Sequence, residues 1–90
     1  MVADLSRQEI VDAVREVLIQ TLALPPQARD MSEATPLFGA LPELDSMGVV
    51  LVLTALEDRF DLVLNDDDID AQWFDTLGSL ADAIQERLSR

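Results

Sequence analysis

From Met47 to Phe60 the chain is apolar at most positions. Its central run, Val49-Val50-Leu51-Val52-Leu53, is continuous enough to serve as a buried strand. Two features argue for a helix instead. The pattern continues through Thr54-Ala55-Leu56-Glu57-Asp58-Arg59-Phe60 without a turn signal, and Val49, Leu53, Leu56 and Phe60 fall on one helical face. That face is expected to pack inward and to leave Met47, Val50, Leu51 and Thr54 partly exposed. The start is also marked: Pro42 cannot sit inside a helix, and Asp45 can accept hydrogen bonds from the free N–H groups of the next turn. A helix over 46–61 is therefore the element around which the chain is arranged. Ser46 stands at its lip, beside the positive end of the helix dipole, where a phosphate is electrostatically favoured. Read by residue type alone, Ser46 or Asp45 caps a helix.

Two further helices flank this one. Ser6-Arg7-Gln8-Glu9 has the spacing of a capping box. After it, Ile10, Val14, Val17, Leu18, Thr21 and Leu22 recur at steps of three and four, opposite Glu9, Asp12, Arg15, Glu16 and Gln20. Pro25-Pro26 is expected to end this helix. Near the other end, Thr76 or Asp75 opens a helix with Leu77, Leu80, Ala81, Ile84 and Leu88 on one face, and Arg87 and Arg90 suit its C-terminal dipole. Between the first two helices runs a long connection, Ala23 to Asp45, without periodicity. A loop of that length should be functional or anchored, with Leu37 and Phe38 as the expected anchors. Asn65 or a neighbouring aspartate is expected to cap a short third helix ending near Trp73-Phe74. The expected architecture is an all-α four-helix bundle of three long helices and one short one, forming a single domain over 1–90.

Charge and residue usage narrow the chemistry. The formal charge is −12, with 18 acidic residues against six arginines and no lysine. Such a surface repels nucleic acid and anionic membranes and steers toward basic protein surfaces. Cysteine and histidine are absent, which removes disulfides, the usual zinc sites and Ser–His or Cys–His nucleophilic machinery. The triplet around Ser46 is not a nucleophile elbow, because Leu44 stands where a glycine is required and no base is available. A calcium loop starting at Asp66 fails too: Ala71 and Leu77 occupy the positions that need glycine and a bidentate glutamate. No catalytic residue and no metal ligand set is expected. Without a signal core or an apolar run long enough to span a bilayer, a cytoplasmic monomer without membrane insertion is expected.

The run Asp45-Ser46-Met47, followed by an aliphatic helix ending Ala55-Leu56-Glu57-Asp58-Arg59-Phe60, resembles the attachment site of acyl carrier proteins. The resemblance extends from roughly Glu9 to Leu88. It implies that Ser46 carries 4'-phosphopantetheine donated by coenzyme A, with Asp45 as flanking motif and cap, and that the chain is a carrier of acyl thioesters rather than an enzyme. A phosphopantetheinyl transferase and acyl-loading, synthase or acyltransferase enzymes with basic patches are the implied partners. The positions that the resemblance assigns to partner contact are Met47, Val50, Leu51, Glu57, Asp58 and Asp66. They sit in an acidic segment: Leu41 to Asp70 holds nine acids against Arg59. An acyl cleft lined by Leu53, Leu56, Leu64, Ile69 and Trp73 is also implied, although the same residues read as ordinary core. In acidic fatty-acid carriers the positions matching Gly48 and Leu51 bear carboxylates; here the docking face is expected to be greasier and to serve other partners. The segment Thr35 to Met47 is similar to discrete carriers of exosortase and exopolysaccharide systems. A peptidyl or aminoacyl carrier, and an unmodified interaction module of the same fold, are the alternatives. Fatty-acid, polyketide, exopolysaccharide and peptide pathways are not distinguished by these residues.

Overall fold

The computed structural model describes residues 5–89, with Asp66 described in its backbone only. Helix α1 spans Arg7–Leu22. Its capping box forms as expected: Ser6 Oγ accepts from the Glu9 N–H at 3.1 Å, and Glu9 Oε1 accepts from the Ser6 N–H at 3.0 Å. The second bond holds the Glu9 carboxyl below the usual carboxylate range, and the Arg15 guanidinium does the same for Asp12. The helix stops before Pro25. Ala23 enters the left-handed region (φ 52°) and its N–H returns to the Ile19 carbonyl, while Pro26–Asp30 forms a short 3-10 helix. The buried face is wider than the sequence spacing marks, since Val11 and Ala13 join Ile10, Val14, Val17, Leu18 and Leu22.

The long connection is anchored at more points than expected. Leu24, Met31, Leu37 and Leu44 are all buried. Its middle is held by main-chain bonds to the start of the last helix: Leu37 N–H to Asp75 O at 3.1 Å, Phe38 N–H to Phe74 O at 3.0 Å, Leu77 N–H to Thr35 O at 3.0 Å and Gly78 N–H to Glu33 O at 2.8 Å. Phe38 does not drop into the core; it is 43% exposed. An extended backbone turns successive side chains to opposite sides, so burying Leu37 places Phe38 outside, with its ring 5.6 Å from that of buried Phe74.

Helix α2 spans Ser46–Phe60. Leu53, Leu56 and Phe60 face inward as expected, together with Gly48 and Val52, while Val49 is only half-buried. The inward stripe is centred on the 48, 52, 56 row rather than on Val49. Asp61 ends the helix in the left-handed region (φ 53°), its N–H bonded to the Glu57 carbonyl.

The expected short third helix is not an α-helix. Two 3-10 turns, Asp66–Asp68 and Ala71–Phe74, occupy its place. The Asp70 carboxylate accepts from the Gln72 N–H at 2.9 Å, a local bond that competes with helical continuation. Helix α3, Leu77–Leu88, opens on Thr76 with its own capping box to Ser79. Leu77, Leu80, Ala81 and Ile84 are buried and Leu88 is half-buried. Arg90 lies outside the described residues. Helix α1 packs against both α2 and α3. Arg7 ties α1 to α3 and to the long loop, donating to Glu33 Oε1 (2.6 Å), Gly78 O (3.2 Å) and Gln85 Oε1 (2.9 Å). Among the described residues no polar side chain is buried. Folding thus rests on apolar packing, at about 1.5–3 kcal/mol for each large side chain enclosed.

Candidate functional site: the opening turn of α2

Asp45 is in extended conformation ahead of α2. Its Oδ1 accepts from the Gly48 N–H at 2.8 Å, and its carbonyl accepts from the Val49 N–H at 2.9 Å. Because Asp45 satisfies these groups, Ser46 is not needed as the cap. Ser46 occupies the first helical position and is exposed, and among the described residues its hydroxyl has no hydrogen-bond partner. An uncommitted alcohol on a rigid helix end, beside the positive end of the dipole, suits attachment of a phosphodiester.

Three segments meet at Gly48. A Cβ there would lie 2.5 Å from the Glu43 carbonyl oxygen and 3.3 Å from Leu22 Cδ2. The end of α1, the last stretch of the long loop and the start of α2 therefore close on one another where a side chain is missing. This corrects the expectation that Gly48 is a bare spot on the docking face. It is buried, and the loop backbone takes the room a carboxylate would need. A glycine inside a helical pattern often has a packing reason of this kind, and that was the available signal.

Beyond the first turn, Met47, Val50 and Leu51 are 67%, 56% and 50% exposed. Thr54, on the same side, donates its hydroxyl to the Val50 carbonyl. Of the acidic positions, Asp58 is exposed, whereas Glu57 is half-buried and its Oε2 accepts from the Leu64 N–H at 2.7 Å. The side chain of Asp66 lies outside the described residues. Arg87 meets Asp68 at 3.2 Å and lies 5.8 Å over the Trp73 ring, an arrangement that neither partner signals in sequence. The five cleft positions are packed in or against the core: Leu53, Leu56 and Leu64 are buried within it, and Ile69 and Trp73 lie against its edge. Among the described residues no group of His, Cys, Asp or Glu is arranged to hold a metal ion. No helix is long and apolar enough to cross a membrane.

A family model described as the phosphopantetheine attachment site matches residues 12–84. This places the chain. It belongs to the acyl carrier protein family. A search of curated proteins finds no match. Among solved structures, the carrier is similar to the solution NMR structure of a holo acyl carrier protein from Nitrosomonas europaea. The two are 46% identical, with a TM-score of 0.83, and the match covers 89% of this chain and 96% of the other. The carrier thus works with a covalently attached 4'-phosphopantetheine and is not an enzyme. Proteins of this kind meet phosphopantetheinyl transferases and the enzymes that load and use the cargo.

Proposed function

We propose that Ser46 is the attachment residue of this acyl carrier protein, and that the side of α2 bearing Met47, Val50, Leu51 and Asp58 receives its partner enzymes. The observation that carries the first part is the uncommitted Ser46 hydroxyl next to a cap already supplied by Asp45. The prosthetic group supplies a terminal thiol on a long arm, on which acyl groups are held as thioesters. The chain's own part is to hold Oγ in the open so that a transferase can join it to the phosphate of coenzyme A's pantetheine half, breaking the pyrophosphate bond and releasing adenosine 3',5'-bisphosphate. The chain has no histidine or lysine and Asp45 is engaged with the Gly48 N–H, so the base that takes the hydroxyl proton is assigned to the transferase. Docking by the acidic segment works mainly through association rate and salt-sensitive affinity. The apolar middle of the exposed face, with Leu51 where acidic fatty-acid carriers have a carboxylate, supports partners other than a general fatty-acid synthase.

Intact mass after incubation with coenzyme A and a promiscuous phosphopantetheinyl transferase tests the site. The parent should gain one phosphopantetheine and Ser46→Ala none. A gain retained in Ser46→Ala places the group elsewhere. For the docking surface, Leu51→Glu should change transfer rates with cognate enzymes while leaving the fold intact; unchanged rates would remove Leu51 from the contact.

A further inference from the structure

Sulfur enters this polypeptide only as methionine, because it holds three methionines and no cysteine. Of the two among the described residues, Met31 is packed in the core at 8% exposure, whereas Met47 is 67% exposed. Met47 directly follows Ser46 in the first turn of α2. Val50 and Leu51, one turn further along, are at least half exposed, and residues at these spacings are neighbours on a helix surface. The thioether thus belongs to an apolar strip that begins beside the attachment hydroxyl.

A thioether is an apolar group whose polarity one two-electron oxidation changes. Its sulfur lone pair attacks the terminal oxygen of a hydroperoxide and the O–O bond breaks. The sulfur becomes a sulfoxide, and the peroxide is reduced to water or an alcohol. Access separates the two methionines, since Met31 is enclosed and Met47 is not. In the free carrier the new oxygen at Met47 stays in water, and the fold loses no packing. Against a partner surface shaped for a hydrocarbon and a sulfur, the same oxygen must be stripped of water without a donor to replace it.

We propose that Met47 is a peroxide-sensitive modification site, and that its sulfoxide slows phosphopantetheinylation of the neighbouring Ser46. The oxidised apo carrier then waits for a methionine sulfoxide reductase, which takes two electrons from a dithiol, releases water and restores the thioether. Position selects the transferase as the enzyme affected. It must bring its active site to Ser46 Oγ and so meets the next residue, whereas enzymes that act at the far end of the arm need not. The inference rests on Ser46 as the attachment residue.

The test uses the full-length apo protein, exposed briefly to hydrogen peroxide that is removed before priming. Peptide masses should show an oxygen gained at Met47 and none at Met31, with Met31 oxidised only once the chain is unfolded in urea. The oxidised carrier should keep the urea midpoint of the parent. Its kcat/KM for phosphopantetheinylation should be about three- to tenfold lower, and reductases for both sulfoxide epimers should restore it. Met47→Leu, whatever its own rate, should be primed equally fast before and after peroxide. Oxidation of Met31 ahead of Met47, a sulfoxide form primed as fast as the untreated parent, or a slowing that persists in Met47→Leu overturns the proposal and leaves Ser46 intact. An untreated parent that gains no phosphopantetheine overturns Ser46 as the site, and this inference with it.

Discussion

The carbonyl oxygen of Glu43 stands 2.5 Å from where a Cβ of Gly48 would be. A helix interior ordinarily favours alanine over glycine by about 1 kcal/mol, but here the added carbon meets main chain that cannot rotate away. Gly48→Ala should therefore destabilise the protein by about 1–3 kcal/mol, in the range of overpacking, read as a lower urea midpoint with unchanged slope. Gly48→Asp, which restores the carboxylate common in fatty-acid carriers, should cost more. A gain in stability from either would mean that the loop yields at Glu43.

Asp45 and Ser46 are neighbours with separate roles. Asp45→Ala removes the acceptor of the Gly48 N–H and should cost about 1 kcal/mol, with Asp45→Asn much closer to the parent. Ser46→Ala should change stability by less than about 0.5 kcal/mol, as an exposed substitution without partners does. Equal losses in urea melts would show that Ser46 shares the cap.

Glu57 and Asp58 are adjacent acids that urea melts should separate. Removing the Glu57 carboxylate strands the Leu64 N–H, so Glu57→Ala should cost about 1–2 kcal/mol. Asp58→Ala should stay within about 0.5 kcal/mol. A partner-binding defect in Glu57→Ala must accordingly be judged against its stability loss, whereas one in Asp58→Ala is direct.

Ala23 holds a left-handed conformation at the end of α1, where a Cβ is crowded by the following carbonyl and glycine is not. Ala23→Gly should stabilise the chain by about 0.5–1 kcal/mol after the extra freedom of the unfolded glycine is counted. In a domain of this size that is a rise of several degrees in melting temperature. A lower melting temperature would show that the Cβ makes packing contacts that outweigh the relief.

The Glu9 carboxylate titrates below its ordinary range because it accepts the Ser6 N–H. A depressed carboxylate contributes stability that is complete above the unfolded range and is lost as pH falls through the folded one. Glu9→Gln should thus be less stable than the parent at neutral pH, and the gap should close as the pH drops to about 4 and below. A gap that persists in acid would assign the effect to shape and not to charge.

The three helices were legible in the sequence because their signals are local. Ser6 with Glu9, Asp45 and Thr76 act within one turn of themselves, and apolar spacing needs only the helical repeat to name a face. The exposed apolar side of α2 and the serine at its start followed from the same arithmetic. What the tertiary structure decided depends on groups that are distant along the chain or on the main chain itself. Gly48 reads as a defect until Glu43 and Leu22 arrive beside it. Glu57 reads as one more surface acid until the chain turns at Asp61 and brings the Leu64 N–H within reach. Phe38 reads as core until the pairing of its backbone with Phe74 settles which of two successive side chains goes in. An apolar groove under the loop is likewise invisible in any window of sequence, because its walls come from both ends of a long connection that only packing brings together.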